Sequence, residues 1–200
     1  MLIKAIIAGF GGQGVMSMGL NLAQAALLEG KNVTYLPAYG AEVRGGTANC
    51  TVAISDDEIA SPVASEPEFI IAMNEPSALR FQNQIQSGGL FFINSSLVEA
   101  DLSRGDINIV SVPANSIAEK LGNPKAANLV MLGAFTKRSS LVSLPSLIEG
   151  LKYTLGAKPK LLAVNEKALR ADMIYSNVDY QPLPLSLRVP MQSGRCNRLI

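Results

Sequence analysis

Histidine does not occur anywhere in these 200 residues. The side chain that titrates most readily near neutral pH, and that ligates transition metals most often, is missing, which sets aside Ser-His-Asp hydrolysis and the usual zinc sites. Cysteine is nearly as scarce. Cys50 and Cys196 are the only two, too far apart for a C-x-x-C metal or redox pair, and a reducing compartment disfavours joining them. Neither sign of charge is in excess: 17 Lys+Arg face 16 Asp+Glu, a formal net charge of +1, so no broad cationic field exists to gather nucleic acid or anionic lipid. No apolar run approaches the ~18 residues of a membrane span, and residues 2–8 run into glycines without the basic head and cleavage site of a signal peptide. The expectation is a cytoplasmic chain that binds neither nucleic acid nor membrane and whose chemistry uses a borrowed cofactor.

What is present is an alternation of strand-like and helix-like segments. Leu2 to Ala8 is a continuous apolar run of strand length. From Val15 to Glu29 polar residues recur at Ser17, Asn21 and Gln24, a helical spacing, and Gly30 supplies a stop. Further strands are expected at Val33–Leu36, Thr47–Ile54, Phe69–Met73, Leu90–Ile93 and Ile107–Val112, with a short helix started by Pro76. Helices are expected at Ala126–Lys137, at Leu144–Leu155 after Ser143, and at Lys160–Ile174 after Pro159. From Ser176 onward Pro182, Pro184 and Pro190 break any regular element while apolar residues persist among them. Residues 1–175 therefore read as a single α/β domain and 176–200 as an extended C-terminal arm.

The stretch "IIAGFGGQGVMSMG", Ile6 to Gly19, carries five glycines and no charge at the junction of the first strand and first helix. Gly9, Gly11 and Gly14 fit the spacing G-x-G-x-x-G, Gly12 adds room, and Gln13 places an amide beside them. Such a turn lets a phosphate approach a helix N-terminus without meeting a Cβ. The same glycines equally serve close packing of the helix on the sheet. A nicotinamide domain also needs an acid at the end of the second strand for the ribose hydroxyls. Here that strand ends Tyr35, Leu36, Pro37, with Glu29 too early and Glu42 in the following loop. A self-contained nucleotide-dependent oxidoreductase is disfavoured on that ground, while a non-enzymatic nucleotide-binding scaffold module stays open. The fold class expected is α/β, a Rossmann-like three-layer sandwich with a mainly parallel, mixed sheet and a helical C-terminal half.

A second motif follows, "LPAYGAEVRGGTANCTVAIS", Leu36 to Ser55. Taken with "GFGGQGV", it resembles the gamma subunit, or gamma domain, of 2-oxoacid:ferredoxin oxidoreductases, in the form closer to the 2-oxoglutarate and branched-chain enzymes. The resemblance runs from Gly9 through "IASP", Ile59 to Pro62, and more loosely to Asn128 and Gly133. It implies oxidative decarboxylation of a 2-oxoacid to an acyl-CoA with reduction of ferredoxin. It also implies alpha and beta partner subunits carrying thiamine diphosphate, magnesium and iron–sulfur clusters, a ferredoxin-like delta subunit in some assemblies, and a gamma part that shares the coenzyme A site and holds the complex together. No catalytic or metal-ligating residue is assigned to this chain. The cofactor-binding residues expected are Gly9, Gly11, Gly12, Gln13, Gly14, Arg44, Gly45 and Gly46.

Arg44 offers a planar, always-ionised donor for a phosphate or a partner carboxylate, its alternative being an ion pair with Glu42 or another acid. Tyr39 and Gly40 are candidates for the wall of the same cleft, unless Tyr39 caps the core instead. Cys50 reads as a small core residue, Ser61 and Pro62 as a turn, and Asp56, Asp57 and Glu58 as a solvated turn. Asn128 reads as a residue making a local hydrogen bond, its alternative being to bind a backbone group or ligand, and Lys137 and Arg138 read as cations at a helix C-terminus.

Overall fold

The computed structural model describes residues 1–39, 46–102, 104–155 and 159–171. Leu2–Phe10 forms β1 at the centre of a sheet, and Val15–Leu28 forms α1, whose helix ends where Gly30 takes a left-handed φ of 75°. β2 (Asn32–Tyr39) and β3 (Thr47–Ser55) follow, then β4 (Phe69–Ala72), α2 (Glu75–Phe81), β5 (Leu90–Asn94) and β6 (Asn108–Val112). The rest is helical: α3 (Ala114–Lys120), one 3-10 turn at Pro124–Ala126, α4 (Ala127–Ser139), α5 (Leu144–Leu155) and α6 (Pro159–Arg170).

The six strands lie in the order β2-β3-β1-β4-β5-β6. β1, β4, β5 and β6 pair in parallel, as short apolar strands joined through helices do. The expectation of a mainly parallel, mixed sheet holds, with one feature that the residues alone did not place. β3 inserts antiparallel between β1 and β2, in a register that aligns Leu2 with Ser55 and Ser55 with Asn32. β2 consequently stands at the sheet edge, where Pro37 costs no ladder hydrogen bond on its outer side.

Each strand face has its own core. Ile3, Ala5 and Ile7 of β1, with Cys50, Val52 and Ile54 of β3, face α1 and the helical half, while Ile6 and Ala8 face α2 through Ala78 and Phe81. Alternation along β1 feeds both layers, which makes the sandwich. At the centre Phe135 of α4 meets Phe69 and Phe92 edge-on, with ring centroids 5.4 and 5.3 Å away. α3 was absent from the sequence-based expectation: it has seven residues and buries only Ala114, Ile117 and Ala118. The strand expected at Val33–Leu36 extends at both ends, because β3 supplies it with a partner along its whole length. The proposed arm, 176–200, lies outside the described residues.

Candidate functional site

The two glycine-bearing segments, distant in sequence, meet at one end of the sheet. Phe10 at the end of β1 lies opposite Thr47, and Tyr39 at the end of β2 lies opposite Ala48. A main-chain bond closes the pair, the Gly11 N–H donating to the Gly46 carbonyl at 3.1 Å. Between them opens a cleft of about 380 Å³. The glycine loop and the first turn of α1 (Val15, Met16, Ser17) form one side, and Tyr39 with Gly46–Ala48 forms the other. Tyr39 is 73% exposed and so belongs to the cleft wall rather than to the core. None of the described lining residues is charged.

The chemistry available here is that of main-chain amides. Gly14 caps α1 in a left-handed conformation, φ 75° and ψ 20°, and among the described residues no side chain caps the helix. The first-turn N–H groups have no acceptor further back in the helix, so they present donors and the positive end of the dipole to the cleft. Gly12 adopts φ 98°, and a Cβ there would meet nothing within 4 Å. Among the described residues, the space beside Gly12 is therefore open.

Three side chains from three elements hold this helix turn by its carbonyls. Asn128 Nδ2 of α4 donates to the Gly14 carbonyl at 3.3 Å, Cys50 Sγ of β3 to that of Val15 at 3.7 Å, and the Tyr35 hydroxyl of β2 to that of Met16 at 3.3 Å. Burial pushes the Cys50 thiol up to about 12, which leaves it protonated and inert as a nucleophile. The Tyr35 hydroxyl is likewise raised to about 12, burial being the larger cause. Gly19 makes the close approach possible, since a Cβ there would overlap Cys50 Sγ.

The expected site residues divide into three groups. Gly11, Gly12, Gly14 and Gly46 line the cleft. Gly9 and Gln13 sit behind it: a Cβ on Gly9 would lie 2.7 Å from Gln13 Oε1, and the Gln13 amide turns inward to Phe10, Met73 and Asn74. Arg44 and Gly45 lie outside the described residues, as does Gly40. Tyr35, Ser17 and Thr47 were not anticipated as site residues, although Ser17 and Thr47 lie inside the two quoted stretches and Tyr35 immediately before the second. Elsewhere Cys50 is a core residue, Ser61 Oγ accepts the Val63 N–H in a turn at 3.3 Å, and Asp56 pairs with Lys31 at the opposite end of the sheet. Among the described residues no three His, Cys, Asp or Glu side chains converge to hold a metal ion, and no helix is long and apolar enough to cross a membrane.

A family model described as pyruvate ferredoxin/flavodoxin oxidoreductase matches residues 4–173. The chain belongs to the pyruvate ferredoxin/flavodoxin oxidoreductase family. The family resemblance read from "GFGGQGV" and "RGGTANCTV" agrees with that assignment. The chain is 42% identical over 171 residues to the ketoisovalerate oxidoreductase subunit VorA of Methanothermobacter thermautotrophicus, an overlap of 84% of this chain and 35% of that relative. It therefore spans about a third of the length of that relative. The fold matches the gamma subunit of a keto/oxoacid ferredoxin oxidoreductase from Geobacter sulfurreducens, with a TM-score of 0.72, 24% identity, and coverage of 84% of this chain and 95% of that one. It also matches 2-oxoglutarate:ferredoxin oxidoreductase from Magnetococcus marinus, solved with 2-oxoglutarate, coenzyme A and succinyl-CoA bound, with a TM-score of 0.79, 22% identity, and coverage of 92% of this chain and 33% of that one. In this chain the second wall beside the glycine loop comes from the end of β2 at Tyr39 and the start of β3 at Gly46–Ala48.

Proposed function

We propose that this chain is the gamma subunit of a 2-oxoacid:ferredoxin oxidoreductase, contributing coenzyme A binding and subunit assembly to an enzyme that converts a 2-oxoacid to an acyl-CoA and reduces ferredoxin in the cytoplasm. The observation that carries this reading is the cleft, which the first turn of α1 and a positive-φ Gly12 share with Tyr39 and Gly46–Ala48. A diphosphate fits such a site by charge and by shape, because backbone donors bring no Cβ between themselves and the anion. Gly11, Gly12, Gly14 and Gly46 would touch the ligand, Gly9 would support them, and Arg44 and Gly45, immediately before Gly46 in sequence, would add a charge-assisted pair. Alpha and beta subunits, with a ferredoxin-like delta subunit in some assemblies, would hold thiamine diphosphate, magnesium and iron–sulfur clusters. The thiamine cofactor supplies the decarboxylation chemistry when bound. This chain's own residues bind and orient the thiol carrier.

Ser17 offers a clean test, because it is exposed in the first turn of α1 and lines the cleft. Ser17→Glu places a carboxylate where the helix dipole favours it for folding but where an incoming phosphate is repelled. In the complex reconstituted with alpha and beta subunits, the expected result is an unchanged or raised melting temperature, with an apparent KM for coenzyme A roughly 10- to 100-fold higher, each tenfold being about 1.4 kcal/mol. The KM for the 2-oxoacid stays within about twofold. Arg44→Ala is expected to move the same constant by roughly 10- to 150-fold, the loss of a charged hydrogen bond. An unchanged coenzyme A dependence in both variants, with subunit association weakened, would instead make this face an interface.

A further inference from the structure

We infer that Gln13 is a positioning residue: its side-chain amide fixes the glycine loop from behind, and affinity at the cleft depends on that contact although Gln13 itself touches no ligand. Gln13 Oε1 accepts the Phe10 N–H at 2.7 Å and Asn74 Nδ2 at 2.8 Å, while its Nε2 donates to the Met73 carbonyl at 3.3 Å. The main chain returns the bond, the Gln13 N–H donating to the Phe10 carbonyl at 3.1 Å. Residues 10 and 13 therefore clasp each other twice, and Gly12 is left between them with φ 98°. A left-handed backbone held by two bonds is a defined shape rather than a mobile one.

Gly9 belongs to the same device. Any side chain there would take the space of Gln13 Oε1 and crowd Val15 and Met73. The first glycine of the motif thus makes room for the amide instead of for a phosphate. Beyond Gln13 the contacts continue along the carboxyl ends of β4 and β5. Asn74, 4% exposed, caps α2 through the Ser77 N–H, and Asn94, fully buried, donates to both the Met73 carbonyl and Asn115 Oδ1. β1 and β4 are the adjacent strands whose connections leave in opposite directions, the place where sheets of this kind ordinarily open a ligand crevice. Here the Gln13–Asn74 bond spans the two strand ends, and the cleft lies beside Gly11, Gly12 and Gly14 of the glycine loop.

This inference rests on the coenzyme A reading, and the test separates the two. Gln13→Ala, Gln13→Glu and Ser17→Glu are compared in the reconstituted complex by KM for coenzyme A, KM for oxoacid, kcat at saturating coenzyme A, and melting temperature. Gln13→Ala is expected to raise the KM for coenzyme A roughly 10-fold or more, as loop displacements of about an ångström do, with kcat and the oxoacid KM within about twofold. Gln13→Glu keeps an acceptor for Phe10 and Asn74, so it recovers most of that loss. A carboxylate touching the ligand would do the reverse, so a KM in Gln13→Glu above that of Gln13→Ala makes Gln13 a ligand contact and overturns the inference. A lower melting temperature with unchanged KM in Gln13→Ala, while Ser17→Glu raises it, overturns the inference and leaves the coenzyme A reading standing. Unchanged KM in all three overturns that reading, and the inference with it. Should Gln13→Ala fail to fold, Asn74→Asp takes its place, because the carboxylate still caps α2 but withdraws the donor from Gln13; the same expectations and the same overturning results apply to it.

Discussion

Purified by itself, this chain is expected to oxidise no 2-oxoacid when supplied with thiamine diphosphate, magnesium, coenzyme A and a viologen acceptor, and co-expression with alpha and beta subunits is expected to bring turnover from background to full activity. The reason lies in the donor set. A cubane iron–sulfur cluster takes four thiolates, whereas this sequence has Cys50 and Cys196, and Cys50 is fully buried with its thiol held protonated. The cleft offers main-chain N–H groups and hydroxyls, which can hold and orient an anion but cannot accept a proton at neutral pH or store an electron. Dye reduction by the isolated chain at a rate near that of the assembled enzyme would overturn the proposed division of labour.

Replacement of Gly133 by alanine is the substitution expected to damage the fold most. On helix propensity alone the change would stabilise α4 by about 1 kcal/mol. The structure reverses the sign. A Cβ at 133 would overlap the carbonyl oxygen of Leu169, a main-chain atom of α6 that cannot rotate aside, so the two helices must separate. Overpacking of this kind costs roughly 2–4 kcal/mol, or roughly 5–15 °C in the melting temperature of a chain this size. Gly105, where an added Cβ meets nothing within 4 Å, is the control, and Gly105→Ala is expected to stay within about 0.5 kcal/mol of the parent. Thermal denaturation of both variants decides the matter, and an unaltered or raised melting temperature for Gly133→Ala would disprove close packing of α4 on α6.

How much of this was legible beforehand depended on the range of the interaction involved. The first strand, turn and helix were, because a continuous apolar run, glycines and a helical spacing of polar residues are signals held within about 25 residues. The antiparallel place of β3 was not: it follows from pairing with both β1 and β2, and alternating residues from Thr47 to Ile54 fit either direction. α3 escaped notice because Pro113 precedes a segment whose buried face is two alanines and one isoleucine. For the site, one cleft shared by the two glycine segments was supposed from the resemblance that the two motifs carry together, and the Gly11–Gly46 bond joins them. The inward turn of Gln13 was not legible locally, because two of its three side-chain partners, Met73 and Asn74, lie 60 and 61 residues further along.

On its glycine-loop side the cleft meets main chain at Gly11, Gly12 and Gly14, and this has a consequence for how such a chain changes over generations. A site made of side chains is altered one codon at a time, each exchange trading one functional group for another. The N–H groups of the glycine loop and first helical turn are the same whichever amino acid carries them, provided the backbone keeps its path. Mutational drift should therefore be broad over the exposed positions around the cleft and close to nil at Gly12 and Gly14, whose left-handed angles any other residue adopts only with strain. The binding surface would then be inherited as a shape, recorded in the genome mainly as places where nothing but glycine is admitted.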